Sequence, residues 1–301
     1  MVETMHEEHK AERVKLAVSC RDCDNLPKVA DAGECFGDKQ EFQRMHNGVV
    51  VRRGSYHGEW MTEIITKLRG HHEPQEEKVF AEVLPHISPG ACMLELGSFW
   101  AYYSMWFHQN VEQSRCFLVE PVPEKLIIGE EHFRLNGMKG TFLHGFIGKT
   151  SDPDGQFVDW DGAVSYVPMI SVDGLMTRFE LGRIDLLHAD VQGAEFDMLI
   201  GAEQALRGHR IGYLFISTHG FEHERCLMHL TNYGYRIVAT HSVLESYSGD
   251  GLIVAKAPEY PGPAHVDISV RRVTIIEQVR YQLSRMRGIL KRKRRRRGMF
   301  S

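Results

Sequence analysis

The sequence lacks the long apolar runs that mark membrane-spanning and exported proteins. None of its apolar runs approaches the ~18 residues that a transmembrane helix needs. The N-terminal stretch MVETMHEEHKAERVK is charged and has no apolar segment typical of a signal peptide. We therefore expect a cytoplasmic location.

Cysteine is scarce as well. Six cysteines in 301 residues are too few for a disulfide scaffold. Cys20 and Cys23 form a CxxC pair with Cys35 nearby, but no fourth zinc ligand is evident at a matching spacing. We predict free thiols in a loop-rich N-terminal region, with a zinc site as the alternative.

The chain is long enough for one substantial α/β domain with modest extensions. Residues 1 to about 55 show no sustained periodicity, whereas short apolar runs alternate with amphipathic segments from Cys92 onward. This alternation predicts an α/β fold with a mostly parallel sheet, closed by an antiparallel C-terminal hairpin. We divide the chain into an N-terminal extension and candidate cap (1–70), a core (71–258) and a basic tail (259–301).

The individual elements follow from apolar spacing and from Gly and Pro breaks. The predicted strands are Cys92–Leu96, Cys116–Val119, Thr141–His144, Asp185–Ala189, Ile211–Ile216, Tyr235–Thr240 and Leu252–Lys256. The predicted helices cover 56–68, 74–84, Ala101–His108, Glu124–Leu135, Glu195–Leu206 and His223–Tyr233.

The sharpest local feature is the run Glu95-Leu96-Gly97-Ser98, where an apolar strand ends in an acid, a glycine and a turn. Ligands of open parallel sheets lie beyond the carboxyl ends of the strands. Gly97 would let the backbone approach a ligand closely, and a carboxylate at Glu95 suits an ammonium group. Glu120 ends the next strand, where an acid can accept hydrogen bonds from ribose hydroxyls. Together these residues predict a nucleoside cofactor. A nicotinamide is disfavoured because two glycines of GxGxxG are missing.

Several blocks resemble the FkbM-type methyltransferases and stand in that family's order. The blocks are Glu95–Ser104, Glu120–Pro123, Asn136-Gly137 and Asp185–Glu195. Ala101 stands where the family often has a second glycine, and His188 and Gln192 replace its common Lys and Glu. The similarity spans about residues 70–256.

This resemblance implies a class I, Rossmann-like methyltransferase with S-adenosylmethionine as cofactor. Phe146 and Ile147 lie in the region that touches adenine in such enzymes, although both could be ordinary core residues. The expected cofactor-binding residues are Glu95, Gly97, Ser98, Tyr102, Glu120, Phe146, Ile147 and Asp190.

Methyl transfer to a hydroxyl requires alignment and removal of a proton. His188, Asp190 and Gln192 alternate at the end of the fourth strand, and His219 follows the fifth. We predict these four as catalytic residues, with His219 or Asp190 as general base. His188 could instead be a satisfied buried histidine.

A catalytic metal is the competing interpretation of the same region. Asp190, His219 and His223 could bind Mg²⁺, which would acidify the hydroxyl. Mg²⁺ prefers carboxylates and water to imidazole, so we do not favour a metal.

The tail has a charge opposite to that of the body. Residues 261–301 hold twelve Lys or Arg and two acids, which leaves −14 on the other 260 residues because the chain carries −4. Apolar residues from Val273 to Leu290 recur at helical spacing, and seven consecutive cations follow at 291–297. A basic amphipathic helix favours an anionic membrane surface. Nucleic acid and the acidic body of the protein are the alternatives.

We therefore predict an O-methyltransferase acting on a hydroxyl of a saccharide, glycolipid or secondary metabolite, as FkbM-like enzymes do. The alternatives are an RNA methyltransferase, which only the basic tail supports, and a non-catalytic cofactor-binding partner protein. Peripheral membrane attachment would refine the cytoplasmic location.

Overall fold

A computed structural model describes residues 2–158, 163–279 and 281 of the chain. Its strands are β1 (Cys35–Phe36), β2 (Phe42–Arg44), β3 (Val50–Arg52), β4 (Cys92–Leu96), β5 (Arg115–Glu120), β6 (Thr141–His144), β7 (Phe146–Ile147), β8 (Gln156–Val158), β9 (Val164–Tyr166), β10 (Met169–Ile170), β11 (Ile184–Asp190), β12 (Ile211–Thr218), β13 (Arg236–His241) and β14 (Gly251–Lys256). Its helices are α1 (Val2–Ser19), α2 (Glu59–Lys67), α3 (Pro74–Val83), α4 (Tyr102–Asn110), α5 (Pro123–Leu135), α6 (Val172–Arg178), α7 (Glu195–Ile200), α8 (Glu203–Arg207) and α9 (His223–Asn232).

Seven strands form the central sheet, in the order β13-β14-β12-β11-β4-β5-β6. Neighbouring strands are parallel except at β14, which runs antiparallel to both β12 and β13. This arrangement confirms the predicted α/β fold and its antiparallel C-terminal hairpin. The direction of strand addition reverses between β4 and β11, and a ligand of such a sheet binds at this switch point.

The central strands β4, β11 and β12 are buried along most of their length. All five residues of β4 and all eight of β12 are buried. Strands covered on both faces have continuous rather than alternating apolar runs. This burial explains why short apolar runs were enough to predict the core strands.

The N-terminal region is more regular than the sequence predicted. Residues 2–19 form α1, and β1, β2 and β3 form an antiparallel sheet. Among the described side chains of α1, only Val14 and Ala17 are buried, so its sequence shows almost no apolar face. Strands of two or three residues are likewise too short to show alternation. The expectation of an irregular segment was therefore wrong.

The helix predicted over Glu195–Leu206 is divided into α7 and α8. A Cβ on Gly201 would lie 2.3 Å from the carbonyl oxygen of Gly148, so the chain passes close to another segment there. The carboxylate of Asp173 accepts hydrogen bonds from the N–H groups of Gln204 and Ala205, at 2.8 and 2.9 Å. A side chain from α6 thus caps the second helix, a tertiary contact that local spacing cannot reveal.

The first part of the C-terminal segment packs on the core. Val266 is buried and its N–H donates to the carbonyl of Val238 at 2.9 Å, while the Tyr260 hydroxyl donates to Asp185. Residues 275–279 are helical, whereas Val273 and Thr274 are not, and the predicted segment beyond residue 279, apart from residue 281, lies outside the described residues. Among the residues that the structure describes, no helix is long and apolar enough to cross a bilayer.

Candidate active site

The turn after β4 lies directly against the end of β11. Gly97 has a φ of +72°, and a Cβ there would lie 1.9 Å from the carbonyl oxygen of Asp190. Any other residue would push the two strand ends apart. Glycine is therefore required at this position because the neighbouring backbone approaches closely. The sequence had suggested that a ligand makes this close approach.

Two acids at the ends of β4 and β5 are buried and organise the adjoining turns. Glu95 accepts a hydrogen bond from the N–H of Ser104 at 3.1 Å, at the start of α4. Glu120 accepts hydrogen bonds from the N–H groups of Phe99 and Val122, at 3.1 and 3.0 Å. Burial raises the pKa of both carboxyl groups. Each carboxylate can accept further hydrogen bonds, so both stay predictions as cofactor ligands.

The other residues predicted at the cofactor occupy different environments. The Ser98 hydroxyl is buried without a hydrogen-bond partner in the turn after β4, where a ligand could pair with it. Tyr102 is fully buried beside Trp100, on the first turn of α4. Phe146 is partly buried against Phe157. Ile147 is buried in β7, which pairs with β10. The packing of Tyr102 and Ile147 resembles that of core residues.

His188 is buried away from the end of its strand. Its Nε2 lies 3.0 Å from Glu76 of α3, its Nδ1 lies 4.0 Å from Glu95, and its ring stacks on Tyr103. Burial opposes the charge of His188, but Glu76 and Glu95 outweigh burial and raise its pKa. Glu76 is thus within ion-pair distance, but neither ring nitrogen of His188 makes a hydrogen bond, so the interpretation of a satisfied buried histidine stays a prediction.

The structure brings Asp190, Gln192 and His219 together. Gln192 donates to Asp190 at 2.7 Å, and its side-chain amide nitrogen lies 2.9 Å from Nε2 of His219. Nε2 of His219 also lies 3.5 Å from Asp190. Nδ1 of His219 lies 2.7 Å from Glu195, a fully buried carboxylate at the start of α7. Glu195 therefore orients the histidine in addition to accepting a hydrogen bond from Gly193.

Asp250 is a member of this cluster that sequence reasoning missed. Its Oδ1 lies 3.3 Å from Nε2 of His219. Because β14 is antiparallel to β12, with Gly251 paired to Thr218, the residue before β14 lies beside the residue after β12. The predicted hairpin could have revealed Asp250. An acid in the turn of that hairpin must lie at the edge of the sheet where the parallel strands have their carboxyl ends.

The charge balance of the cluster favours a protonated histidine. Burial opposes the charge of His219, but the hydrogen bond to Glu195 and the charges of Asp190 and Asp250 raise its pKa to about 9. Burial raises the pKa of Asp250 to about 6 and also raises that of Asp190. An imidazolium cannot accept a proton at neutral pH, so the carboxylates are better placed to act as general base. The assignment of His219 as base stays a prediction: its raised pKa disfavours it, whereas the amide nitrogen of Gln192 at 2.9 Å can donate to Nε2 only when that nitrogen is unprotonated.

The disfavoured Mg²⁺ set is not assembled. His223 contacts the hydroxyl groups of Thr218 and Thr240 at 2.8 and 3.2 Å. Within the described residues, Asp190, His219 and His223 therefore do not converge as ligands.

A cavity of about 130 Å³ opens beside this cluster. The core contributes Glu73, Asp190, Gln192 and Asp250 to its wall. The N-terminal extension contributes Arg13, Tyr56, His57 and Trp60. The guanidinium of Arg13 also donates to the carbonyl of Ser248 at 2.8 Å and lies over the Trp60 ring. Residues of the predicted cap and of the core thus enclose one space.

A family model described as the methyltransferase FkbM domain matches residues 82–237, just over half of the chain. The chain belongs to the FkbM methyltransferase family. It is an S-adenosylmethionine-dependent methyltransferase, and the resemblance of the motif blocks is confirmed. No curated protein sequence matches the chain.

Several solved structures similar to this chain are methyltransferases, at low sequence identity. M. capricolum TrmK in complex with S-adenosyl-homocysteine is 12% identical, with a TM-score of 0.41 over 64% of this chain and 71% of that one. Precorrin-6y C5,15-methyltransferase from Geobacter metallireducens GS-15 is 15% identical, with a TM-score of 0.40 over 59% and 87%. Ribosomal protein L11 methylase from Lactobacillus delbrueckii subsp. bulgaricus is 14% identical, with a TM-score of 0.39 over 62% and 80%.

Proposed function

We propose that this methyltransferase acts on oxygen and transfers the methyl group to a hydroxyl of a saccharide, glycolipid or secondary metabolite. The observation that carries the proposal is that Asp190 and Asp250, which both line the cavity, converge on His219. A hydroxyl must lose its proton as it is methylated, and two carboxylates beside an imidazolium can accept that proton.

The cavity wall matches the chemistry of a polyhydroxylated acceptor. Carboxylates and an amide offer hydrogen-bond acceptors and donors, while Tyr56 and Trp60 offer apolar faces. Ligand sites combine apolar walls with a few placed polar groups in this way. Arg13 adds a cation that could pair with an anionic group on the acceptor.

The residues at the ends of β4 and β5 fit the cofactor by their chemistry. Ser98 offers an unpartnered buried hydroxyl, and Glu120 retains acceptor capacity for ribose hydroxyls. S-adenosylmethionine supplies an electrophilic methyl group. As the acceptor oxygen took this methyl group and the sulfur kept the electron pair of the broken bond, Asp190 and Asp250 would accept the hydroxyl proton.

Isotope transfer into a mixture of metabolites tests the proposal for many acceptors at once. The protein is incubated with cell-extract metabolites and S-adenosylmethionine carrying a trideuterated methyl group, and products are identified by mass spectrometry. We expect deuterated methyl ethers, with formation reduced ~10²–10⁴-fold in Asp190→Asn and Asp250→Asn if both accept the proton.

Asp197→Asn is the matched control, because this carboxylate on α7 is exposed. Its rate should equal that of the wild type. Products labelled on nitrogen or carbon, or full activity of both cluster variants, would overturn the proposal.

We also propose that the basic tail attaches the enzyme peripherally to an anionic membrane in the cytoplasm. Support comes from the nine Lys or Arg residues, with no acid, in residues 282–301. Such a segment gains free energy from the negative surface potential of anionic lipids.

A further inference from the structure

A second polar cluster lies away from the cavity, between the N-terminal extension and the core. Cys23, His71 and Glu77 each offer one ligand atom, and these atoms lie within 4.8 Å of one another. The three side chains are buried. Cys23 follows α1, while His71 precedes α3 and Glu77 lies on it. The cluster therefore connects the extension to the first helix of the core.

The histidines here have buried nitrogen atoms without hydrogen-bond partners. Nε2 of His71 and Nε2 of His46 both lack one. Nδ1 of His71 is held by Glu77, and Nδ1 of His46 lies 3.2 Å from the carbonyl oxygen of Pro27. Unpartnered buried polar atoms in a native protein require an explanation, such as a water molecule or an ion. In metal-binding histidines, one ring nitrogen is held by a carboxylate or carbonyl group while the other binds the ion.

The donor set selects the kind of ion. One sulfur, one imidazole and one carboxylate suit Zn²⁺, whereas Mg²⁺ and Ca²⁺ prefer oxygen ligands only. Tetrahedral zinc holds nitrogen, oxygen and sulfur ligands roughly 3.3–3.6 Å from one another, so the most distant ligand atoms must approach by about an ångström. The hydrogen bond between Nδ1 of His71 and Glu77 must also open for Glu77 to bind the ion. We propose that Cys23, His71 and Glu77 bind a zinc ion, with a water molecule at the fourth position hydrogen-bonded to His46.

Two neighbouring features affect ion binding at this site: a groove that leads to it and the charge of a nearby lysine. Nε2 of His46 lies 4.0 Å from Glu77, and His46 also lines a surface groove of about 710 Å³ with Pro27, Lys28 and Trp106. The groove gives an ion a path from solvent. The ammonium of Lys28 lies near the cluster and opposes a cation, but it donates to the carbonyl of Cys23. The thiol of Cys23 donates to the carbonyl of Pro74 at 3.3 Å, and zinc binding would release this proton, so that the thiolate and Glu77 together supply two negative charges.

The proposed ion is structural. It links a residue after α1 to the turn that begins α3, so it holds the extension that contributes Arg13, Tyr56 and Trp60 to the cavity. Because the ligands come together only in the folded chain, zinc binding stabilises the fold. The site is independent of the acceptor proposed above.

The test uses the full chain without an affinity tag, reduced, equilibrated with Zn²⁺ and freed of loose metal by gel filtration. We expect about one zinc per chain by plasma mass spectrometry. With Co²⁺ in its place, a thiolate-to-cobalt absorption band should appear in the near ultraviolet. Cys23→Ser should abolish that band and weaken zinc binding by ~100-fold or more.

Cys20→Ser is the matched control, because Cys20 belongs to the same CxxC pair and is also buried but lies outside the ligand group. It should retain the zinc and the cobalt band. Absence of zinc and of the thiolate band in the wild type would overturn the proposal whether or not the variants fold. Retention of both in a folded Cys23→Ser would overturn it as well.

Discussion

At the scale of single residues, the charge state of the cluster around His219 controls the chemistry. Three carboxylates face one imidazole, so the negative charge around His219 favours its protonated form. The positive charge of a protonated His219 offsets the repulsion between Asp190 and Asp250 and favours their ionised forms. This assigns His219 an electrostatic and orienting function and leaves proton acceptance to Asp190 and Asp250.

The pKa values predict a bell-shaped dependence of kcat/KM on pH. Below about pH 6 Asp250 holds a proton and cannot accept another, so activity falls on the acid side. Above about pH 9 His219 loses the charge that holds the carboxylates, so activity falls on the basic side. Steady-state rates in methyl transfer from pH 5 to 10 measure both limbs.

Two variants distinguish the limbs. Asp250→Asn should lose or shift the acid limb, while Asp197→Asn should reproduce the wild-type profile. An unchanged acid limb in Asp250→Asn would exclude this aspartate as its origin.

A second residue-scale prediction concerns Glu120 and the cofactor. Glu120→Ala removes the carboxylate that we predict to bind the ribose and leaves the N–H groups of Phe99 and Val122 without a partner. We expect S-adenosylmethionine to bind about 1–3 kcal/mol more weakly by calorimetry, and the melting temperature to fall. Glu124→Ala, an exposed acid on α5, should change neither. Wild-type affinity in Glu120→Ala would contradict the cofactor assignment.

At the scale of elements, the site depends on how closely β4 and β11 approach. Gly97→Ala would place a Cβ 1.9 Å from the backbone oxygen of Asp190, at a position with positive φ. We expect the free energy of unfolding in urea to fall by about 3 kcal/mol or more, since both strain and steric overlap are introduced.

Gly90→Ala separates the two effects. Gly90 also has a positive φ, of +77°, but a Cβ there meets nothing within 4 Å. Gly90→Ala should lower the free energy of unfolding by only about 1 kcal/mol, from backbone strain alone. Equal losses in the two variants would show that contact with β11 is not what requires Gly97.

At the scale of the whole molecule, the tail divides into a docked part and a basic part. Ser269 donates to Asp22 from its N–H and its hydroxyl, and Tyr281 donates to the carbonyl of Gly220, next to His219. A truncation at the predicted domain boundary, residue 258, would also remove the buried Tyr260 and Val266. A truncation after Tyr281 tests the basic part alone, because it leaves the docked part in place.

A chain ending at Tyr281 retains the described contacts and loses nine cations. We expect it to fold and bind S-adenosylmethionine like the full chain, while salt-sensitive co-sedimentation with anionic vesicles disappears. Neutral vesicles should bind both chains weakly, since each cation contributes ~1 kcal/mol only at an anionic surface.

Two other outcomes of these binding experiments would favour the alternative partners of the tail. Salt-dependent binding of RNA without vesicle binding would favour the RNA methyltransferase alternative. Binding of neither would indicate that the tail associates with the acidic body of the protein.

Sequence alone was sufficient to predict the central sheet and the cofactor motifs. The core strands are buried on both faces and appear as apolar runs, and Glu95, Gly97 and Glu120 stand at their ends. These signals are local in the chain, so spacing reveals them. The predicted sheet placed Asp190, Gln192 and His219 at one edge for the same reason.

Only the tertiary structure determines which side chains share one environment. Asp250 and Glu195 meet His219 through the antiparallel return of β14 and the start of α7, and their summed charge sets its pKa. The break between α7 and α8 depends on Asp173 from another helix. Cys23 meets His71 and Glu77 across 48 residues or more of sequence. Burial and electrostatic energies depend on distances in space, and those follow from packing between segments distant in the chain.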